Sequence, residues 1–169
     1  LSGLGGDELF GGYPSFRDLP RLARWLPLWH RLPERVRRAL VDRLDRGATR
    51  SRKLADFLGH AHNIHELGSL QRRVFSESAR RSLLGPDALA ALGRRAPFHP
   101  ELGPLSSDLV NAGNFETISA WELRTYMADV LLRDSDVMSM RHSLELRVPF
   151  EDRPLIEWLW QQPANFKDD

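Results

Sequence analysis

The sequence contains no cysteine. That excludes disulfides, thiolate metal sites and a cysteine nucleophile within these residues, and it fits a cytoplasmic setting. Long apolar runs are missing too. None approaches the roughly 20 residues needed to cross a bilayer, so neither a membrane span nor a membrane partner is read. A surplus of either charge is also lacking: 24 Lys and Arg face 23 Asp and Glu, for a formal net charge of +1. The chain as a whole therefore exerts no pull on nucleic acid or anionic lipid. What remains is ordinary, with 41% apolar and 28% charged residues over 169 positions, enough for a globular domain with a real core.

Charge is uneven on a shorter scale. Between Arg17 and Lys53 stand twelve Lys and Arg against four Asp and Glu. Such a run serves either as a phosphate or RNA patch or as the solvated face of helices whose leucines and tryptophans turn inward. The basic and aromatic residues follow helical spacing here, so the second reading is preferred and no nucleic-acid partner is expected.

Most of the chain reads as helix. Pro20, Pro27 and Pro33 divide the basic stretch into short pieces. A longer helix is expected from Glu34 to Leu44, with Val36, Leu40 and Leu44 as its apolar stripe. Gly47 to Ser51 reads as a turn, followed by helices over Arg52 to Leu58 and Leu67 to Phe75. Gly93 to Ser107, with Pro97, Pro100 and Pro104, reads as a surface loop. Ser119-Ala-Trp-Glu122 has the form of a capping box, after which Leu123, Met127 and Val130 mark one face of a helix ending near Arg133. Asp134-Ser135-Asp136 is a polar break. Leu146 and Val148 then alternate with Glu145 and Arg147, while Pro149 argues against a long central strand. Asp152 and Pro154 start a last helix with Leu155, Ile156, Leu159 and Trp160 on its core face, and Pro163 marks its end. No internal repeat or low-complexity tract is present.

The densest chemical signal is the opening LSGLGGDELFGGY, with five glycines and the adjacent acids Asp7 and Glu8. Glycines permit positive φ and bring backbone N–H groups close to a ligand. Successive amides at a turn entering a helix attract anions, so phosphate is the natural guest. Asp7 would repel a bare phosphate, but a hard cation between them reconciles the two, since Mg²⁺ takes one or two carboxylates together with phosphate oxygens. The plain alternative is a glycine-rich turn in which Ser2 is a cap and the acids face the helix dipole. The pattern is neither a P-loop nor a dinucleotide fingerprint.

This stretch resembles a conserved-form segment of the asparagine synthetase family, Ser-Gly-acid-Gly-small-Asp-Glu-aliphatic-Phe-Gly-Gly-Tyr. A second block, DVLLRDSDVMSMRHSLELRVPFED from Asp129 to Asp152, is similar to that family's D-x-L segment ending in Ser-Leu-Glu-x-Arg-Val-Pro-Phe-Leu-Asp. The two blocks stand in the family's order. The resemblance implies a mainly α chain that forms the C-terminal helical part of an α/β PP-loop ATP pyrophosphatase (adenine nucleotide alpha hydrolase-like) domain. It also implies that residues 1–169 are part of a synthetase domain, lacking the S-G-G-x-D-S nucleotide loop and the glutaminase domain that lie upstream in the family. A piece of this kind is expected to be inactive alone.

Site roles follow by the same resemblance. Ser2 and Gly3 would contact ATP, Gly5 and Gly6 would form the pyrophosphate turn, and Asp7 would hold Mg²⁺. Glu8 either supports the site or caps the helix, and Tyr13 is structural. Asp129 is expected to be buried and paired, with a role on the substrate side as the alternative. Arg147 either pairs with Glu145 or faces the phosphates. His142 reads as a core or helix-end histidine, and His60, His62 and His65 do not make a convincing zinc set. At position 4 the family carries an acid, whereas this chain has Leu4, which cannot transfer a proton; no catalytic residue is assigned. Val137, Arg141 and Glu151 are further departures, each expected to be tolerable on a surface. The implied reaction is ATP-dependent amide formation, by default from aspartate and glutamine-derived ammonia, and a homodimer is compatible with it. A peptide macrolactam or other tailoring synthetase and a non-catalytic interaction module are the alternatives.

Overall fold

Helix-forming residues dominate the sequence, and the computed structural model, which describes residues 1–92 and 112–167, contains no strand among them. The expectation of a mainly α chain is met. The loop expected over Gly93 to Ser107 lies outside the described residues. The helices are α1 (Gly6–Phe10), α2 (Pro14–His30), α3 (Glu34–Asp45), α4 (Thr49–His60), α5 (Ile64–Gln71), α6 (Glu77–Leu83), α7 (Pro86–Leu92), α8 (Asn114–Glu122), α9 (Arg133–Met140), α10 (Arg153–Trp160) and α11 (Ala164–Lys167). A π-helical segment, Leu123–Leu132, continues α8, and a 3₁₀ turn covers Pro149–Glu151. The chain forms two compact units, one of Leu1–Asp18 with Pro104–Asp169 and one of Leu19–Gly103.

In the unit Leu19–Gly103, Pro20 and Pro27 sit inside α2 and do not divide it. An interior proline costs about 3 kcal/mol, and the burial of neighbouring Leu19 and Leu26 offsets that cost. Pro33 does separate α2 from α3, at the N-cap of the latter. The stripe expected on α3 has the right period and the wrong phase. Val36 and Leu40 are exposed, Leu44 is half-buried as expected, and the other half-buried positions are Arg37, Val41 and Asp45. Val41 packs on α4, where its Cγ1 would lie 3.5 Å from a Cβ at Gly59. Arg37 stands on the inward face because its Nη1 donates to His30 Nδ1 at 2.8 Å, while His30 Nε2–H donates to the Ala61 carbonyl at 3.0 Å. A long cationic side chain thus takes a place that a polarity count assigns to solvent.

The turn at Gly47 is shorter than expected, since α4 starts at Thr49. Helix α5 starts at Ile64 because Asn63 caps it, accepting from Glu66 N–H at 3.0 Å, and it ends at Gln71. Leu67 and Leu70 on α5 are wholly buried with Ala55, Phe57 and Ala61 from α4 and its end. Beside them runs a polar network. The Asp56 carboxylate accepts Glu77 N–H at the start of α6 (3.0 Å), and Lys53 Nζ donates to the carbonyls of Leu70 and Arg73. Burial pulls Lys53 down to about 8, against the attraction of Asp56. Arginines from this basic stretch also pair on the surface, Arg38 with Glu34 for one. The inward-facing reading holds for Leu19 and Leu26 and fails for Trp25, Leu28, Leu32 and Leu40, which are exposed.

In the other unit, the expected capping box is overturned. Helix α8 starts at Asn114, with Gly113 at its N-cap, and Ser119 and Glu122 are buried within it. Ser119 Oγ has no partner, and the Glu122 carboxylate accepts from Ser15 Oγ at 2.9 Å. The helix does not end near Arg133 either. It passes through the π segment into α9, so Asp134-Ser135-Asp136 is no break. Wider i→i+5 winding explains why the spacing of four and three misleads: Met127 is wholly buried, while Val130 is exposed. Beyond Met140, Ser143 adopts φ 57, and the Leu144 N–H returns to the Ser139 carbonyl at 3.1 Å, closing α9 with a left-handed turn that holds His142 on the surface. Asp152 occupies the N-cap of α10 without a side-chain cap bond. Leu159 is the buried anchor of that helix, and Trp160 is 39% exposed rather than core.

Candidate nucleotide-binding turn

The opening glycines make a tight entry into α1. Gly5 stands at its N-cap with φ 96, and Gly11 closes it with φ 73. Both values belong to glycine. Ser2 Oγ accepts from the Leu4 N–H at 3.3 Å, so Ser2 shapes the turn, while the space beside Gly3 is open, with no atom within 4 Å of a Cβ placed there. The N–H groups of Ser2, Leu4 and Gly6 are donated within the protein, to the Arg147 carbonyl, Ser2 Oγ and the Gly3 carbonyl, so what the bend offers at Gly3 is open space.

The two sequence blocks meet at this turn. Ser2 N–H donates to the Arg147 carbonyl at 2.9 Å. A Cβ on Gly5 would lie 2.7 Å from Glu151 Oε1 and 2.9 Å from Phe150 Cβ, and Phe150 packs edge-on against Phe10 at 6.1 Å. Glycine at position 5 is thus required twice, by its φ and by the closeness of the Pro149–Glu151 turn. Leu146 and Val148 are half-buried while Glu145 and Arg147 are exposed, as the alternation predicts. Arg147 pairs with Glu145 at 2.8 Å on the surface. An open groove of about 460 Å³ is lined by Arg147, Val148, Pro149, Glu151 and Asp152.

The acids divide by environment. Asp7 is exposed, and its carboxylate lies over Gly12, where a Cβ would come within 2.8 Å of Asp7 Cγ. Glu8 points the other way, 1% exposed, and accepts from Tyr13 Oη at 2.7 Å. Glu8 is therefore a buried brace tied to Tyr13, which itself sits edge-on to Tyr126 at 6.2 Å. Glu151 departs from its expected surface place: its Oε1 is buried without a hydrogen-bond partner. Burial, reinforced by the charge of Glu8, pushes its carboxyl above the usual carboxylate range. Asp129 was expected to be buried and paired, and it is instead exposed on the π segment, three residues past Tyr126. Wider winding turns it outward. Val137 and Arg141 are on the surface, as expected.

Among the described residues no group of three His, Cys, Asp or Glu is arranged to hold a metal ion. One exposed carboxylate beside a glycine-rich bend fits a cation shared with phosphate oxygens, and does not fit an all-protein cage. Of the histidines read as a weak metal set, His60 contacts the Asp56 carbonyl at 3.1 Å. His62 contacts Glu66 at 3.2 Å and stacks on His30 with ring centroids 4.6 Å apart.

Sequence reasoning missed Glu151, whose environment is set by contacts with the opposite end of the chain. Its signal was a charged residue at a place where the resembling block carries leucine.

The two sequence blocks of this helical protein thus join at one glycine-rich turn. The whole chain, residues 1–169, matches the Asparagine synthase family, and the chain belongs to that family. It is 29% identical over 184 residues to Asparagine synthetase [glutamine-hydrolyzing] 1 of Bacillus subtilis (strain 168), an alignment covering 99% of this chain and 25% of that relative. The chain thus spans about a quarter of the length of that relative. No solved structure matches it. Among the described residues no helix is long and apolar enough to cross a membrane.

Proposed function

We propose that this chain is the helical, phosphate-facing part of an amide-forming ligase, cytoplasmic and using ATP and Mg²⁺. It activates a carboxylate, by default aspartate, as an acyl-adenylate with release of pyrophosphate, and ammonia then attacks to give asparagine. The carrying observation is the junction of the two sequence blocks, where Ser2 N–H meets the Arg147 carbonyl and Gly5 meets Phe150 and Glu151. Together with family membership it supports a PP-loop ATP pyrophosphatase fold in the complete protein. ATP supplies the adenylyl group, and Mg²⁺ neutralises the departing pyrophosphate. Ser2 and Gly3 line the nucleotide side, Gly5 and Gly6 form the pyrophosphate turn, and Asp7 holds the cation. Arg147, exposed above the groove, balances phosphate charge, while Asp129 faces solvent on the substrate side. These residues act by positioning and by fixed electrostatics. Ammonia reaches the site from glutamine through a glutaminase domain, and the assembly is a homodimer.

A second reading keeps the adenylation and changes the substrates to those of a peptide macrolactam or other tailoring synthetase. Leu4 favours it, because the turn offers the amine no acidic side chain at that position. The test is carboxylate-dependent ATP–pyrophosphate exchange by the full-length protein with Mg²⁺. Exchange stimulated by aspartate supports the asparagine-forming reading. Exchange only with other carboxylates leaves the tailoring reading, and none with any carboxylate removes both in favour of a non-catalytic interaction module.

A further inference from the structure

Resting on the ligase reading above, we propose that Glu151 is the proton-accepting group of the amide-forming step, delivered to the glycine turn by the Pro149–Glu151 turn. Leu4 leaves the bend without a titratable side chain of its own at that point. Glu151 is the carboxylate that reaches it: its Oε1 sits against Gly5, buried and without a hydrogen-bond partner, and its residue also lines the open groove beside Arg147 and Asp152. An orphaned buried oxygen is costly and is usually explained by a ligand or a functional role. A purely structural carboxylate at this place would be better replaced by a hydrocarbon of the same size.

The charged and titratable groups around it are Glu8 from α1, itself bound by Tyr13, and Arg147 and Asp152 along the groove, with Glu145 paired to Arg147. Burial and the Glu8 charge raise the Glu151 carboxyl above its ordinary range, the direction that strengthens a carboxylate as a proton acceptor. In the step itself the amine nitrogen forms a bond to the acyl carbon. The acyl C–O bond to the adenylate breaks, with its electron pair leaving on the phosphate oxygen of AMP. The nitrogen sheds one proton to the Glu151 carboxylate, which passes it to water.

The test compares wild type, Glu151→Gln and Glu151→Asp in the full-length protein, using whichever carboxylate supports ATP–pyrophosphate exchange. Binding of Mg-ATP, measured by calorimetry, and pyrophosphate exchange should survive in Glu151→Gln, while single-turnover amide formation falls by about 10²–10⁴-fold. The rise of the amide-forming rate with pH should vanish in Glu151→Gln and return in part in Glu151→Asp. Unchanged amide formation in Glu151→Gln overturns the proposal. So does an equal loss of Mg-ATP binding, exchange and amide formation, because Glu151 would then belong to the nucleotide cradle. If wild type shows no exchange with any carboxylate, the ligase reading itself fails and this proposal goes with it.

Discussion

Glu77 and Glu151 are both carboxylates drawn out of water, and the two units treat them oppositely. Glu77 is 5% exposed, and its two oxygens accept from Arg73 (2.9 Å), Arg80 (2.8 Å) and Arg81 (2.8 Å). Burial alone would raise its pKa, but the hydrogen bonds from Arg80, Arg73 and Arg81 prevail and hold it down at about 2. Glu151 has no such partner at Oε1, faces another acid in Glu8, and shifts upward. Desolvation is common to both, so the partners decide the sign. One glutamate fastens a helix start to its neighbours. The other rests with an unpartnered oxygen against the glycine turn.

The largest effect that separates them is expected at Glu77. Glu77→Ala leaves three arginines around a buried site and should cost about 3–5 kcal/mol in urea denaturation of the folded chain. Its pH dependence has a defined direction. A depressed carboxyl contributes stability that is fully present above the ordinary carboxylate range and is lost as pH falls toward 2. Glu77→Gln should therefore flatten the stability curve on the acid side, and an unchanged acid limb would show that the three arginines hold no ionised group.

Next comes Gly5→Ala, which strains a φ of 96 and drives a methyl into Glu151 Oε1 and Phe150 Cβ. A loss of about 2–4 kcal/mol is expected, together with weaker Mg-ATP binding; a neutral result would mean that the two blocks do not meet at this turn. A smaller gain is expected from Glu151→Gln. A raised carboxyl contributes stability below its unfolded-state pKa and loses it as pH rises through the folded value. The variant should thus exceed wild type in melting temperature near neutral pH, with the difference closing in acid. The smallest effect belongs to Glu145→Gln, which breaks an ion pair with side chains 71% and 72% exposed and should change stability by about 0–0.5 kcal/mol. A rise in Mg-ATP affinity in that variant without a change in stability, from a guanidinium freed of its carboxylate, would assign Arg147 to the phosphates.

Much of the fold is legible in the sequence, and the errors share one cause. Helix content, the Asp152–Pro154 start of α10 and the glycines around α1 are visible because each depends on neighbours a few residues away. The α3 stripe was placed one residue out because Arg37 is drawn inward by His30. Ser119 and Glu122 have the spacing of a cap, yet burial of α8 on all sides converts them to interior polar groups, one of them bonded to Ser15. Pro20 and Pro27 look like breaks until the burial of Leu19 and Leu26 is weighed against them. In each case a contact distant in sequence outweighs a local preference of a few kcal/mol at most.

By itself the sequence determined that the chain is helical, that a glycine-rich bend stands beside Asp7, and which two blocks carry the family resemblance. These follow from φ preferences, periodicity and side-chain chemistry, all short-range properties. Only the tertiary structure decided that the two blocks join, that Glu8 is a buried brace while Asp7 stays exposed, and that Glu151 comes to rest against Gly5. The state of a carboxyl depends on how much water it has lost and which charges surround it, and both are set by residues from elsewhere in the chain.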